Sequence, residues 1–259
     1  MRALSTSKFE EGIINEDAAR ATPEWIAVSD GAGGGGVFAN KWSEYLVEHL
    51  TETPISDFAA FDSWIEGIWE PFYNEYEEVA KREGGMLLNK FYDEGSFATL
   101  VAVWKNGQWI SYGDSVAFCY NKKSGLLQNT FGKLVDFNNP PYLINCKDSL
   151  NEEGFKCGRF NLTDDSIVFA ASDALAHYIL MMYEVTHRDK YAEELQEAVN
   201  AQTKDSNFIK TALALKKADF EDVIKKLPLC KNQGNYKSHL LFLKKKGLIA
   251  HDDYSIAIM

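Results

Sequence analysis

The stretch Trp25-Ile26-Ala27-Val28-Ser29-Asp30-Gly31-Ala32-Gly33-Gly34-Gly35-Gly36 joins an apolar run, a single carboxylate and a glycine-rich turn. Its first residues suit a buried, pleated strand. After the glycines, residues 38–50 carry Trp42, Tyr45, Leu46 and Leu50 at helical spacing. Asp30 thus stands at the tip of a strand, where a carboxylate loses hydration and costs free energy unless something compensates it. The same design recurs where Ile167-Val168-Phe169-Ala170-Ala171 leads into Ser172-Asp173-Ala174. Asp252-Asp253 opens onto the apolar run Tyr254-Ser255-Ile256-Ala257-Ile258, and Asn15-Glu16-Asp17 is a fourth acidic motif. Carboxylates gathered at strand tips repel one another. Hard divalent cations such as Mg²⁺ or Mn²⁺ seek such oxygen ligands. The pattern predicts a metal site assembled from distant parts of one domain.

The glycine run also contains Gly-x-Gly-x-x-Gly between a strand and a helix, the spacing of a dinucleotide-binding turn. Asp30 opposes that reading, because its charge would face the pyrophosphate. No Gly-Lys-Ser/Thr follows, so a nucleotide P-loop is excluded. Glycines here also let the backbone approach a metal, with the Gly31 carbonyl as a ligand. Taken singly, Asn15-Glu16-Asp17 reads equally as a cap or turn, Asp114 as a hairpin turn, and Asp252-Asp253 as a surface loop.

Further strands are expected at 97–104, 109–112, 116–120, 166–171 and 254–258, with Asn106-Gly107 as a hairpin turn. Helices are expected at 58–82, with Pro71 a candidate break, and at 175–185, 190–201, 207–216 and 236–246. Strands and helices fall in blocks, which favours α+β with antiparallel sheets over a doubly wound fold. Residues 126–161 are rich in Asn, Pro and Gly and read as a surface excursion or flap.

Composition fits one compact domain spanning 1–259, with 46% hydrophobic residues and only 6 Pro. A formal charge of −11 and the lack of a basic stripe argue against nucleic acid. Lys244-Lys245-Lys246 suits a solvated helix end. No stretch is apolar and long enough to span a bilayer, and no signal-peptide core follows Met1. Cys119, Cys146, Cys157 and Cys230 are scattered without Cys-x-x-Cys, which fits thiols in a reducing cytoplasm.

In order along the chain, the motifs resemble those of the PPM/PP2C family of metal-dependent protein Ser/Thr phosphatases. That family runs Asn-Glu-Asp, Asp-Gly-x-Gly-Gly, Gly-Ser/Thr-x-Ala, Gly-Asp-Ser, Ser-Asp-Gly and Asp-Asn-x-Ser/Thr. Here the series stands as Asn15-Glu16-Asp17, Asp30-Gly31-Ala32-Gly33-Gly34, Gly95-Ser96-Phe97-Ala98, Gly113-Asp114-Ser115, Ser172-Asp173-Ala174 and Asp252-Asp253-Tyr254-Ser255. The resemblance covers residues from about 10 onward.

It implies a four-layer α-β-β-α sandwich, two antiparallel sheets flanked by helices, and a cytoplasmic enzyme of bacterial type. Two Mg²⁺ or Mn²⁺ ions are implied. Asp30 would bridge them, Asp173 and Asp252 would complete one, and Glu16, Asp17 and the Gly31 carbonyl would serve the other. Asp114 with Asp173 would hold a third, weaker ion. No side chain is assigned as nucleophile, since a metal-bridging water takes that role on phosphoserine or phosphothreonine of a kinase-phosphorylated protein. The family commonly has an Arg before Asn-Glu-Asp to grip phosphate; here Lys8 is the candidate substitute. Ala174 replaces a Gly and Asp253 an Asn, and 126–161 lacks a counterpart of the family's flap motif. Two other readings stay open: a catalytically weak or inactive relative that binds a phosphoprotein or partner, and a nucleotide-binding oxidoreductase.

Overall fold

Strand β3 (Trp25–Ser29) is buried along its whole length, and its side chains alternate between two apolar environments. Trp25 and Ala27 pack with helices, whereas Ile26 and Val28 enter a second cluster with Val101, Val103, Ala117, Cys119, Val168, Ala170 and Ala257. A strand with period-two side chains and no wet face must lie between two layers. The structure, a computed structural model, describes residues 1–34 and 36–259; Gly35, within the glycine run, lies outside the described residues.

The first half of the chain forms β1 (Arg2–Thr6), β2 (Ala18–Ala21), β3, α1 (Ala39–Glu48), α2 (Phe58–Glu83), α3 (Gly85–Glu94), β4 (Phe97–Ala98), β5 (Leu100–Trp104), β6 (Gln108–Tyr112) and β7 (Val116–Asn121). Then follow β8 (Leu126–Asn129), β9 (Ile144–Asn145), β10 (Phe155–Arg159), β11 (Ser166–Ala171), α4 (Asp173–Thr186), α5 (Ala192–Asn200), α6 (Lys204–Leu213), α7 (Phe220–Lys226), α8 (Gln233–Lys245) and β12 (Tyr254–Ile258). One five-stranded sheet runs β1-β12-β11-β7-β8 and the other β10-β6-β5-β3-β2. Every pairing is antiparallel.

The same alternation builds the other layers. On β5, Leu100, Ala102 and Trp104 face α1 and α2 while Val101 and Val103 face the opposite sheet. On β11, Ile167, Phe169 and Ala171 face the α4–α8 layer and Val168 and Ala170 the sheet interface. Each such buried Val, Ile, Leu or Phe contributes about 1.5–3 kcal/mol. The interface between sheets is lined mainly by Val, Ala and Cys, with Phe160 and Trp109 at it, while most bulky aromatics lie under the helices. The α-β-β-α sandwich expected from the motifs is observed.

Several local expectations need correction. The run 97–104 is two strands, because Thr99 leaves the ladder to hold Asp30. Helix α2 continues through Pro71 without a break. Pro71 removes one N–H on the exposed face, and the carbonyl it would have paired belongs to the exposed Gly67, where water can satisfy it. Residues 126–161 are less of an excursion than their composition suggests. They supply an edge strand to each sheet, β8 against β7 and β10 against β6. With no parallel pair among the described strands, the glycine run opens no βαβ unit, which removes the support for a dinucleotide turn.

Candidate metal centre

The antiparallel registers bring the acidic motifs to one end of the sandwich. Ala18 pairs with Ser29, so Asp17 and Asp30 leave β2 and β3 at the same edge. Leu100 pairs with Tyr112, which brings the β6–β7 turn carrying Asp114 to that edge. In the other sheet Ala171 lies opposite both Val116 and Ile256, so Asp173 and Asp252 emerge together. Five carboxylates from five segments therefore converge through topology alone.

Each is aimed by local structure. Thr99 clamps Asp30: its hydroxyl accepts the Asp30 N–H at 3.2 Å, and its own N–H donates to the Asp30 carbonyl at 2.8 Å. The Ser29 hydroxyl donates to the Thr99 carbonyl at 2.6 Å. Asp173 is the first residue of α4, where its carboxylate accepts the Ala174 N–H beside the positive end of the helix dipole. Asp114 follows Gly113, whose φ of +99° only glycine adopts readily. Gly31 is buried, and a Cβ there would fall 2.5 Å from the Glu16 carbonyl oxygen. A Cβ on Gly33 would run into the Glu16 carboxylate itself. The glycines are thus a cradle for Glu16, a role the sequence did not disclose.

The electrostatics record mutual repulsion. Burial pushes Asp30 well above the usual carboxylate range, and the charges of Asp17, Asp173, Asp114 and Asp252 push the same way. Asp173 is also raised well above its ordinary value, by burial and then by Asp114, Asp252 and Asp17. Asp17 rises to about 7, chiefly through burial, while the nearby Ser172 and Ser255 hydroxyls pull it back. Asp114 rises to about 6, through burial and the Asp252 charge. Glu16 is raised by burial, and the Lys8 ammonium opposes that shift.

Asp253 is the residue whose role sequence reasoning missed. It is buried, and its two oxygens accept the backbone N–H of Lys8 and of Glu16, each at 2.6 Å. It ties the β1–β2 loop to the start of β12. Its acidic neighbour Asp252 drew attention as a ligand, but two adjacent carboxylates are the signal that one can hold backbone while the other faces the cleft. Asn15 likewise supports the fold, donating to the Ser5 hydroxyl at 2.5 Å and accepting the Asp17 N–H at 3.2 Å.

Among the described residues, no three His, Cys, Asp or Glu side chains stand together in positions that would already hold an ion. The residues nevertheless fit divalent cations in kind. The converging donors are all carboxylate oxygens, as hard cations require. Asp17 Oδ2 is buried without any hydrogen-bond partner. The carboxylates destabilise one another in a way that a cation reverses.

No family model matches the chain, and no curated protein matches it in sequence. Solved structures do. Mycobacterium tuberculosis serine/threonine phosphatase PstP/Ppp superposes with a TM-score of 0.56 at 14% identity, covering 99% of this chain and 96% of that one. The fold is that of the PP2C phosphatases. The catalytic domain of PstP in complex with two manganese ions gives a TM-score of 0.52 at 14% identity, over 99% of this chain and 95% of the other. PppA, described as a regulatory component of the type VI secretion system in Pseudomonas aeruginosa, gives 0.50 at 16% identity, over 99% and 96%. At such identities the likeness is one of PP2C architecture.

Proposed function

We propose that the chain is a divalent-metal-dependent phosphatase acting on phosphoserine and phosphothreonine in proteins. The observation that carries this reading is the convergence of Asp17, Asp30, Asp114, Asp173 and Asp252 at one end of a PP2C-like sandwich, where burial and neighbouring carboxylates raise the cost of ionising Asp30 and Asp173. Asp30, Asp173 and Asp252 would hold one ion, with Glu16, Asp17 and the Gly31 carbonyl serving a second that Asp30 shares, and Asp114 with Asp173 would hold a third. When bound, Mg²⁺ or Mn²⁺ supplies Lewis-acid polarisation of phosphoryl oxygens and acidifies water for attack on phosphorus.

The protein's own residues orient that chemistry. Thr99 and the α4 dipole fix Asp30 and Asp173, and Asp253 fixes the loop that carries Glu16. The Lys8 backbone N–H donates to the same carboxylate, and the Lys8 charge reaches Glu16; this reading gives its ammonium the role of a point charge on substrate phosphate. Among the described residues no helix is long and apolar enough to cross a membrane. The substrate this reading assigns is a cytoplasmic phosphoprotein.

The test is hydrolysis of p-nitrophenyl phosphate and a phosphothreonine peptide with Mn²⁺, in the wild type and in Asp30→Asn and Asp173→Asn. The reading requires turnover that both substitutions abolish. A second reading, a partner-binding relative with little activity, is favoured by the absence of Arg from residues 8–14. Mn²⁺ binding without turnover would select it.

A further inference from the structure

Outside the acidic cleft, a cavity of about 520 Å³ lies between the C-terminal end of α7 and the first turns of α8. Its walls carry Lys225, Lys226 and Lys231, with Asn232, Ser238 and His239, and no carboxylate lines it. Concentrating three ammonium groups is unusual in a chain of net charge −11. Lys226 is partly neutralised by Asp222 at 2.7 Å on the rim, whereas Lys225 and Lys231 make no salt bridge among the described residues. The N-terminal end of α8, a 13-residue helix, opens beside this cavity and adds its positive dipole end. His239 is half-buried, and its enclosed Nε2 has no hydrogen-bond partner among the described residues. Burial, then the Lys226 charge, lowers that imidazole to about 4, so it is neutral and free to donate or accept.

We propose that this cleft binds a small anion carrying two or three phosphate groups. Lys225 and Lys226 on α7 and Lys231 on the α7–α8 loop offer separate cations for separate phosphates. The assignment does not rest on the phosphatase reading.

The cleft is mechanically joined to the acidic end. Its loop wall is pinned to β1 at two points: Arg2 donates to the Pro228 carbonyl at 2.8 Å, and Gln233 donates to the Ser5 carbonyl at 2.5 Å. The Ser5 hydroxyl contacts Ser255 at 2.7 Å and receives Asn15. One turn along α8, the Tyr236 hydroxyl is buried, unpartnered and within reach of the Asp17 charge. Hydrogen bonds therefore run from the loop wall of the cleft through β1 to Asn15, next to the acidic residues.

Calorimetric titration of EDTA-treated protein with inorganic pyrophosphate, ADP and inorganic phosphate tests the site, because without divalent metal the acidic cleft repels all three. Pyrophosphate should bind at least tenfold more tightly than phosphate. Lys225→Glu with Lys231→Glu should weaken it at least tenfold, and His239→Phe several-fold, with unchanged circular dichroism. ADP binding tighter than pyrophosphate would make the ligand a nucleotide; equal affinity would place recognition in the diphosphate alone. No binding, equal affinity for single phosphate, or an unaltered double variant overturns the proposal.

Discussion

Asp253 Oδ2 accepts the backbone N–H of Glu16 at 2.6 Å across 237 residues of sequence, while its other oxygen holds Lys8. One buried carboxylate thus fixes both the loop and the spacing of two candidate functional groups. Asp253→Ala strands two N–H donors and should cost about 2–4 kcal/mol of stability in urea unfolding. Asp253→Asn keeps one acceptor and should cost less. A loss under about 0.5 kcal/mol for the alanine variant would show that the tie is dispensable.

The clustered carboxylates set a pH dependence with a definite sign. Asp17 and Asp114 ionise near 7 and 6 in the folded chain, against 3.8 ordinarily. Between those limits the native state holds protons that the unfolded chain has released. Metal-free stability should therefore fall as pH rises from about 4 to about 7. Mn²⁺ should raise the melting temperature, more at pH 7.5 than at pH 5. Asp30→Asn should stabilise the metal-free protein by about 1–3 kcal/mol and abolish the Mn²⁺ shift. If Asp30→Asn destabilises the metal-free form, the mutual repulsion argued here is wrong.

Gly33→Ala offers a test of the cradle. The added methyl collides with Glu16 Oε1 and must displace that side chain. Mn²⁺ affinity should drop about tenfold or more, roughly 1.4 kcal/mol, with little change in urea midpoint. Gly34→Ala, which meets nothing within 4 Å, is the control and should leave affinity unchanged.

Glu184 on α4 is buried with Oε2 unpartnered, and burial, helped by the Glu194 charge, raises it to about 8. A raised carboxyl favours the native state most below its unfolded value and loses that advantage as pH climbs to its folded value. Stability should fall between pH 4.5 and 8 from this group alone. Glu184→Gln should flatten the slope and gain about 2–4 kcal/mol at pH 8. Denaturation at several pH values would reveal it, and parallel curves for the two proteins would refute it.

Lys8→Ala should raise KM for a phosphopeptide several-fold while kcat changes little, because a point charge on substrate phosphate contributes to binding. Lys8→Arg should restore or improve KM through a bidentate contact. A fall in kcat with KM unchanged would move Lys8 out of substrate binding.

Strand cores were legible because alternation and β-branching survive in single sequences: β3, β11 and β12 fall where the apolar runs predict them. Strands β1, β2, β8 and β10 were not, since edge strands carry mixed residues such as Ala18-Ala19-Arg20-Ala21 whose pairing is decided by tertiary context. Helices α3 and α7 were missed for a related reason, being short and bordered by glycine or by turns. In the acidic cleft, the positions of Asp30, Asp173 and Asp252 followed from strand ends, and that of Asp114 from the order of motifs. The role of Asp253 did not, because backbone capture across the whole chain leaves no periodic trace.

Pairing β1 with β12 has a consequence for when the protein can act. The Arg2–Ile258 register joins segments separated by nearly the entire sequence, the slowest kind of contact to form. Until β12 has docked, Asp252 is not held at the cleft, and the loop bearing Glu16 has no anchor. The acidic cleft is then incomplete, and the chain lacks the full set of carboxylates that would gather a cation.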